Sequence, residues 1–211
     1  MVDFALTEEQ RALRDVARRF VERTVRPVAA DLDRRPDPAE CFSWEIVEEA
    51  SRIGLRTLTL DRAYGGIGAD SLTTAMLIEE LAAGDLGVAV VFAQTWKILQ
   101  TLQRAGTPDQ RERYLPRFRD DPRCLLAIGI TEPEFSSDYI IPFDDSEAGP
   151  YLTAERRGDT WILNGTKHFI SNGNRAGLYL IFARTDRARG VREGTTAFLV
   201  PRGAPGFSVG S

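Results

Sequence analysis

The stretch Trp161-Ile162-Leu163-Asn164-Gly165-Thr166-Lys167-His168-Phe169-Ile170 reads as two short β-strands around a turn. Asn-Gly supplies the positive φ values of a type I′ hairpin, and apolar residues flank it on both sides. The runs 178–185 and 195–200 look like further strands, and 124–130 is a short apolar run bounded by charge and by Thr131-Glu132-Pro133. Everything after Pro122 therefore reads as β.

Before Pro122 the hydrophobic period is helical. Thr7-x-x-Gln10 has the form of a capping box, and Leu13, Val16, Ala17, Phe20 and Val21 follow at 3.6-residue spacing until Pro27, which is expected to stop the helix. Ser43 is expected to open a second helix that buries Trp44, Val47 and Ala50 and ends at Gly54. Beyond the turn-rich Tyr64-Gly65-Gly66-Ile67-Gly68, Ser71 is expected to cap a third helix running to about Ala83. Residues 86–105 are apolar on most sides, as a helix packed inside a bundle requires, and Gly106 closes them. Thr107-Pro108-Asp109-Gln110 then starts another helix with a cap, a first-turn proline and an acid near the positive end. At least five helices thus precede residue 122. The expected fold is α+β and multidomain: an N-terminal all-α helical bundle over 1–122, followed by a β-barrel or β-sandwich-like middle domain over 123–211.

Composition excludes several functions. Of 211 residues, 43% are hydrophobic and 27% charged, which argues against disorder. The 27 basic and 31 acidic residues give a net charge of −4 without a basic stripe, so a nucleic-acid footprint is not expected. Apolar runs such as 88–93 fall far short of the ~20 residues that span a bilayer. Met1-Val2-Asp3-Phe4 lacks a basic start and apolar core, so a cytoplasmic location is the default expectation. A single histidine, His168, argues against a His-based metal cluster or a Ser-His-Asp triad, and no metal is expected. Cys41 and Cys124 read as a pair of buried thiols, with a disulfide or a reactive thiol as the other possibilities. Only Lys97 and Lys167 are lysines, and the excess of arginine reads as genomic codon bias. Between 132 and 147 stand six acids (Glu132, Glu134, Asp138, Asp144, Asp145, Glu147) and no base: a solvated loop, or a gate that repels anions from a nearby pocket.

The chain resembles the acyl-CoA dehydrogenase family over nearly all its length. The resemblance runs through the helical half, Tyr64-Gly65-Gly66, Gly84-Asp85 and the helix from Gly106-Thr107 to Leu115-Pro116. It is most specific in Thr131-Glu132-Pro133-Glu134-Phe135-Ser136-Ser137-Asp138 and in Asn164-Gly165-Thr166-Lys167-His168-Phe169-Ile170-Ser171-Asn172-Gly173. It implies FAD. The segment from Ile128 through Ile130 and Thr131 to Ser136 and Ser137 would follow the flavin pyrimidine edge and pyrophosphate, where donors stabilise the reduced ring. Thr131 would hydrogen-bond the ring, and Ser137 a phosphate or the substrate thioester. Phe169 would lie flat on the flavin, beside Ile170, and Ser171 would donate to N5. By themselves these residues permit blander readings: Phe169 as core, Ser171-Asn172-Gly173 as a turn, Thr131 as the end of a strand before Pro133. His168 is expected to point away from Phe169 and to be structural.

Three departures accompany the resemblance. Glu134, Phe135 and Ser136 stand where the family has small residues, adding bulk and an anion near the expected phosphates. The connection 138–153 is longer than usual and acidic. The family also continues into a C-terminal helical bundle that carries the catalytic glutamate, so the base is expected beyond Ser211, and Glu132 reads as a structural acceptor. The helices would then expose the face that packs on that bundle, and this stretch alone would bind FAD weakly. The implied activity is α,β-desaturation of an acyl-CoA thioester, with an electron-transfer flavoprotein as acceptor and a homo- or hetero-oligomeric assembly, dimer or tetramer. The alternatives are a flavin monooxygenase or oxidase of the same superfamily, and a non-catalytic partner subunit that completes another chain's site.

Overall fold

The computed structural model describes residues 5–140 and 145–210. The N-terminal residues 1–4, Asp144 of the acidic stretch and the terminal Ser211 lie outside the described residues, as do the side chains of Asp138 and Ile140. The chain divides into two compact units, Met1–Leu125 and Leu126–Ser211.

The first unit is helical. Helix α1 (Glu8–Phe20) starts in the expected capping box, and Gln10, buried, also donates to Thr73 Oγ1 at 3.0 Å. Pro27 does not stop it. The chain passes through a π-helical turn, Val21–Val25, into α2 (Arg26–Asp33), and the Arg26 N–H bonds Val21 O five residues back. A proline ring clashes with the carbonyl four positions earlier in α register, and the wider turn removes that clash. Helix α3 (Trp44–Arg52) is capped by Ser43 but buries Ile46, Val47 and Ala50. Trp44 is only half-buried, edge-on to Phe42 at 5.1 Å, because the inward face starts two residues later. Helix α4 (Ser71–Gly84) is capped by Asp70 rather than Ser71, with Thr73 N–H donating to Asp70 Oδ1 at 2.8 Å. Helix α5 (Leu86–Ala105) has the expected bounds, and α6 (Pro108–Asp120) starts where expected but continues through Pro116 to Asp120. No helix among the described residues is long and apolar enough to cross a membrane.

Between α3 and α4 the irregular segment 55–60 is nevertheless core, with Leu55, Leu58 and Leu60 buried. Side chains of α5 satisfy its backbone: Trp96 Nε1 donates to Leu55 O at 2.9 Å, and Gln103 donates to Thr59 O at 2.9 Å while accepting from Asp61 N–H at 2.7 Å. Gly66 closes this segment, where a Cβ would collide with the Leu60 carbonyl.

The two thiols differ, contrary to the expectation of a buried pair. Cys41 is exposed, with its Sγ donating to Arg35 O at 3.3 Å. Burial pushes the Cys124 thiol up to about 11. Cys124 therefore stays a poorly nucleophilic thiol at about pH 8. Alkylation of the native protein is expected to add one adduct, at Cys41, and a second only after denaturation. Intact mass with peptide mapping checks this, and rapid labelling of Cys124 in the native state sinks it.

The second unit holds a mixed five-stranded sheet. Strand β1 (Leu126–Gly129) runs parallel to β4 (Leu178–Arg184), and β5 (Thr195–Pro201) pairs antiparallel to the other side of β4. Strands β2 (Thr153–Arg157) and β3 (Thr160–Asn164) form an antiparallel hairpin joined to β4 at Thr153↔Arg184. The hairpin thus lies one strand earlier than expected. Its turn holds Gly158, at φ +62°, whereas Gly165 sits at φ +142°, outside type I′ geometry. Gly165 instead lies against Leu152, where a Cβ would stand 2.8 Å from the Leu152 Cα. Residues 166–170 are not a strand.

Candidate functional site

The two motifs meet in the second unit through one buried ion pair. Glu132 turns back on itself: its N–H donates to Phe135 O at 2.6 Å, and its side chain is buried. The carboxylate accepts the Tyr151 N–H at 2.6 Å, the Leu152 N–H at 3.0 Å and the Lys167 ammonium at 2.6 Å. Lys167 Nζ also donates to Ile130 O at 3.0 Å, and both side chains of the pair are almost fully enclosed. Desolvation lowers the Lys167 pKa from its ordinary value, opposed by Glu132. Glu132 is therefore spent on structural hydrogen bonds, as expected.

From this anchor the chain runs along β1 and its extension. The His168 N–H donates to Thr131 O at 2.8 Å. Phe169 then adopts a left-handed backbone, φ +54°, which is uncommon for a bulky residue, and its ring is 94% exposed. The core reading of Phe169 fails on this observation. His168 is exposed too and meets Phe169 edge-on at 5.8 Å, so it does not point to an alternate face. The alternation expectation fails because the segment is not a strand. Asn172, also left-handed at φ +63°, donates Nδ2 to Leu126 O at 3.0 Å and accepts the Ala176 N–H at its own carbonyl, while the Gly173 N–H closes on Ile170 O.

Ile128, Ile130, Thr131, Ile170 and Ser171 are half-buried, whereas Ser136 and Ser137 are exposed. Among the described residues, the hydroxyls of Thr131, Ser136, Ser137 and Ser171 make no hydrogen bond. Phe135 does not add bulk outward: it is buried, packed so closely on Gly149 that a Cβ there would lie 2.6 Å from its ring. Glu134 is exposed. No group of three or more His, Cys, Asp or Glu able to hold a metal occurs among the described residues.

The structure thus displays one aromatic ring, Phe169, to solvent, with Ser171 two residues on and Thr131 tied to the neighbouring His168. Over the whole chain, the family model for the acyl-CoA dehydrogenase N-terminal domain matches residues 7–120, and that for the acyl-CoA dehydrogenase middle domain matches residues 127–211. The chain belongs to the acyl-CoA dehydrogenase family. Family relatives include a short-chain-specific acyl-CoA dehydrogenase of Clostridium acetobutylicum, 34% identical over 99% of this chain and 52% of its own length. The butyryl-CoA dehydrogenase structure from Megasphaera elsdenii superposes with a TM-score of 0.83 at 32% identity, covering 98% of this chain and 52% of that one. A Mycobacterium smegmatis glutaryl-CoA dehydrogenase in complex with FADH2 matches with a TM-score of 0.79 at 29% identity, over 96% and 48%. The chain thus spans about half the length of the acyl-CoA dehydrogenases it matches.

Sequence reasoning missed the Lys167–Glu132 pair and the Asn172 anchor. A signal for the first was present: against 25 arginines, lysine stands at only two positions, and one of them is Lys167.

Proposed function

We propose that this chain is the helical (1–122) and β (123–211) part of an FAD-dependent acyl-CoA dehydrogenase that desaturates an acyl-CoA thioester between the α and β carbons. The observation that carries the reading is Phe169, a bulky side chain held in a costly backbone conformation and presented to solvent. Such strain persists where a ligand uses it. FAD, when bound, supplies the two-electron acceptor for the β-hydride.

The chain's own residues bind and orient. Phe169 offers an aromatic plane against which a flavin ring stacks and from which water is excluded. Ser171 and Thr131 would supply hydroxyls to the ring's polar edge, where negative charge gathers on reduction. Ser136 and Ser137 would donate to phosphate, Ser137 alternatively to the substrate thioester, and Ile128, Ile130 and Ile170 would wall the site. The α-proton base is a carboxylate outside residues 1–211. On unit 1, Leu86 (70% exposed) and Val90 (39%) leave apolar surface on α5 for further chain to cover. Electrons leave to an electron-transfer flavoprotein, within a cytoplasmic dimer or tetramer serving fatty-acid metabolism.

One observation favours a second chemistry on the same fold. Glu134, Asp145 and Glu147 are exposed, and clustered acids repel the phosphates of coenzyme A. A flavin oxidase or monooxygenase with another substrate escapes that cost.

The test is an absorbance spectrum of the full-length protein, purified without added flavin and read against intact mass, then repeated anaerobically with short acyl-CoAs. Oxidised-flavin bands that bleach on adding acyl-CoA without oxygen are expected. Flavin that bleaches only with an external reductant supports the second chemistry, and absence of flavin overturns both.

A further inference from the structure

Lys167 and Asn172 grip the same strand at its two ends. Lys167 Nζ reaches Ile130 O at 3.0 Å, and Asn172 Nδ2 reaches Leu126 O at 3.0 Å. Along an extended chain these carbonyls stand about 13 Å apart. Between the grips lie Phe169, Ile170 and Ser171, with the His168 N–H bonded to Thr131 O at 2.8 Å as a third tie. We propose that Lys167 and Asn172 are positioning residues: together they clamp the 167–173 loop along β1, so that Phe169 and Ser171 are held in register with Thr131 for the flavin. The inference rests on the flavoprotein reading above and adds to it the device that sets the geometry.

Packing alone does not account for the clamp. An ammonium enclosed as fully as that of Lys167 is costly to desolvate, and a methionine fills similar volume without that cost. The ammonium does what methionine cannot: it bonds Ile130 O and Glu132 together, and Glu132 in turn fixes the Tyr151 and Leu152 N–H groups. The strand, the returning chain at 151–152 and the start of the loop become one body. At the other end Asn172 tolerates its left-handed backbone and spends its amide on β1. The loop between has a strained residue at Phe169, and an unclamped loop would relax it. Side chains that orient a site from one layer out act through geometry, within the ~0.5 Å that a binding constellation requires.

Two variants test this in the full-length protein. Lys167→Met removes one grip. Asn172→Gly removes the other and keeps the left-handed backbone at no steric cost. FAD affinity is measured by quenching of flavin fluorescence, alongside the shape of the bound-flavin spectrum and amide exchange at His168 and Phe169. Each variant is expected to bind FAD at least tenfold more weakly, with a blunted flavin spectrum and faster exchange at both amides, while Asn172→Gly still unfolds cooperatively. A merely structural role would lower stability and leave the spectrum of the flavin that remains bound unchanged. Wild-type-like affinity, spectrum and exchange in Asn172→Gly overturn the clamp while the flavoprotein reading stands. A wild-type protein that binds no FAD overturns both that reading and the positioning role.

Discussion

Replacing Arg56 by methionine is expected to cost about 4 kcal/mol of unfolding free energy, among the largest single-residue effects in the chain. Arg56 is 1% exposed and, among the described residues, forms no ion pair with a carboxylate. Its guanidinium donates to Phe118 O at 2.8 Å, Arg119 O at 3.1 Å, Cys124 O at 3.2 Å and Ser51 Oγ at 2.7 Å, and lies 4.4 Å over the Phe118 ring. Phe118 and Arg119 are in the last turn of α6, where carbonyls lack an intrahelical partner and carry the negative end of the helix dipole. A buried cation thus caps α6 and ties it to Ser51 in the last turn of α3 and to Cys124 near the end of the unit. Methionine fills the volume and leaves these carbonyls dry and unpaired, at about 1–3 kcal/mol each before relaxation and water entry reduce the sum. Burial lowers the Arg56 pKa from a value so high that the group stays charged, so the loss is not expected to depend on pH in the neutral range. Arg56→Lys is expected to recover less than half, because one ammonium cannot reach four acceptors. Urea denaturation monitored by tryptophan fluorescence measures both variants, and a loss below ~1 kcal/mol for Arg56→Met would sink the capping role.

What the sequence disclosed follows from the range of the forces involved. Capping boxes at Thr7 and Thr107 and the apolar period of α5 are local, and each stands where it was read. Pro27 was legible as a helix breaker because the rule is local; that a π turn absorbs it depends on Val21 and Val25 being buried, which is tertiary. Asn164-Gly165 misled for a similar reason. The pair favours a type I′ turn in isolation, but Gly165 is required where it is by the closeness of Leu152, thirteen residues earlier. The hairpin went instead to Thr153–Arg157, whose charged residues concealed it. Arg56 was invisible, since nothing local marks one buried arginine among 25. The two motifs read from the sequence are brought together in the fold through Lys167 and Glu132, but the αL turn that turns Phe169 outward arises from ties at Thr131, Ile130 and Leu126, all contacts across more than 30 residues.

Phe169→Ala separates binding from stability more sharply than any other substitution. The ring is 94% exposed, so removing it takes no apolar area out of the folded protein's interior, and surface truncations of this kind fall within about ±0.5 kcal/mol. Alanine is still strained at φ +54°, which leaves the backbone cost in place but adds none. The denaturation midpoint without flavin is therefore expected to be unchanged. Flavin binding is another matter. Stacking of an aromatic side chain on a heteroaromatic ring is worth about 1–3 kcal/mol by alanine substitution, and 2 kcal/mol corresponds to roughly 30-fold in Kd. FAD affinity of the full-length protein is expected to fall by about that factor, measured by equilibrium dialysis, and Phe169→Trp is expected to restore or exceed it because the indole presents a larger plane. Since bound flavin stabilises the folded state by mass action, the mutant should also lose part of the flavin-dependent rise in Tm while keeping the flavin-free value. The pattern distinguishes a stacking platform from a structural residue: a destabilised apo-protein with unchanged flavin affinity contradicts the assignment, because the one property that marks Phe169 in this fold is that nothing in its own unit covers it.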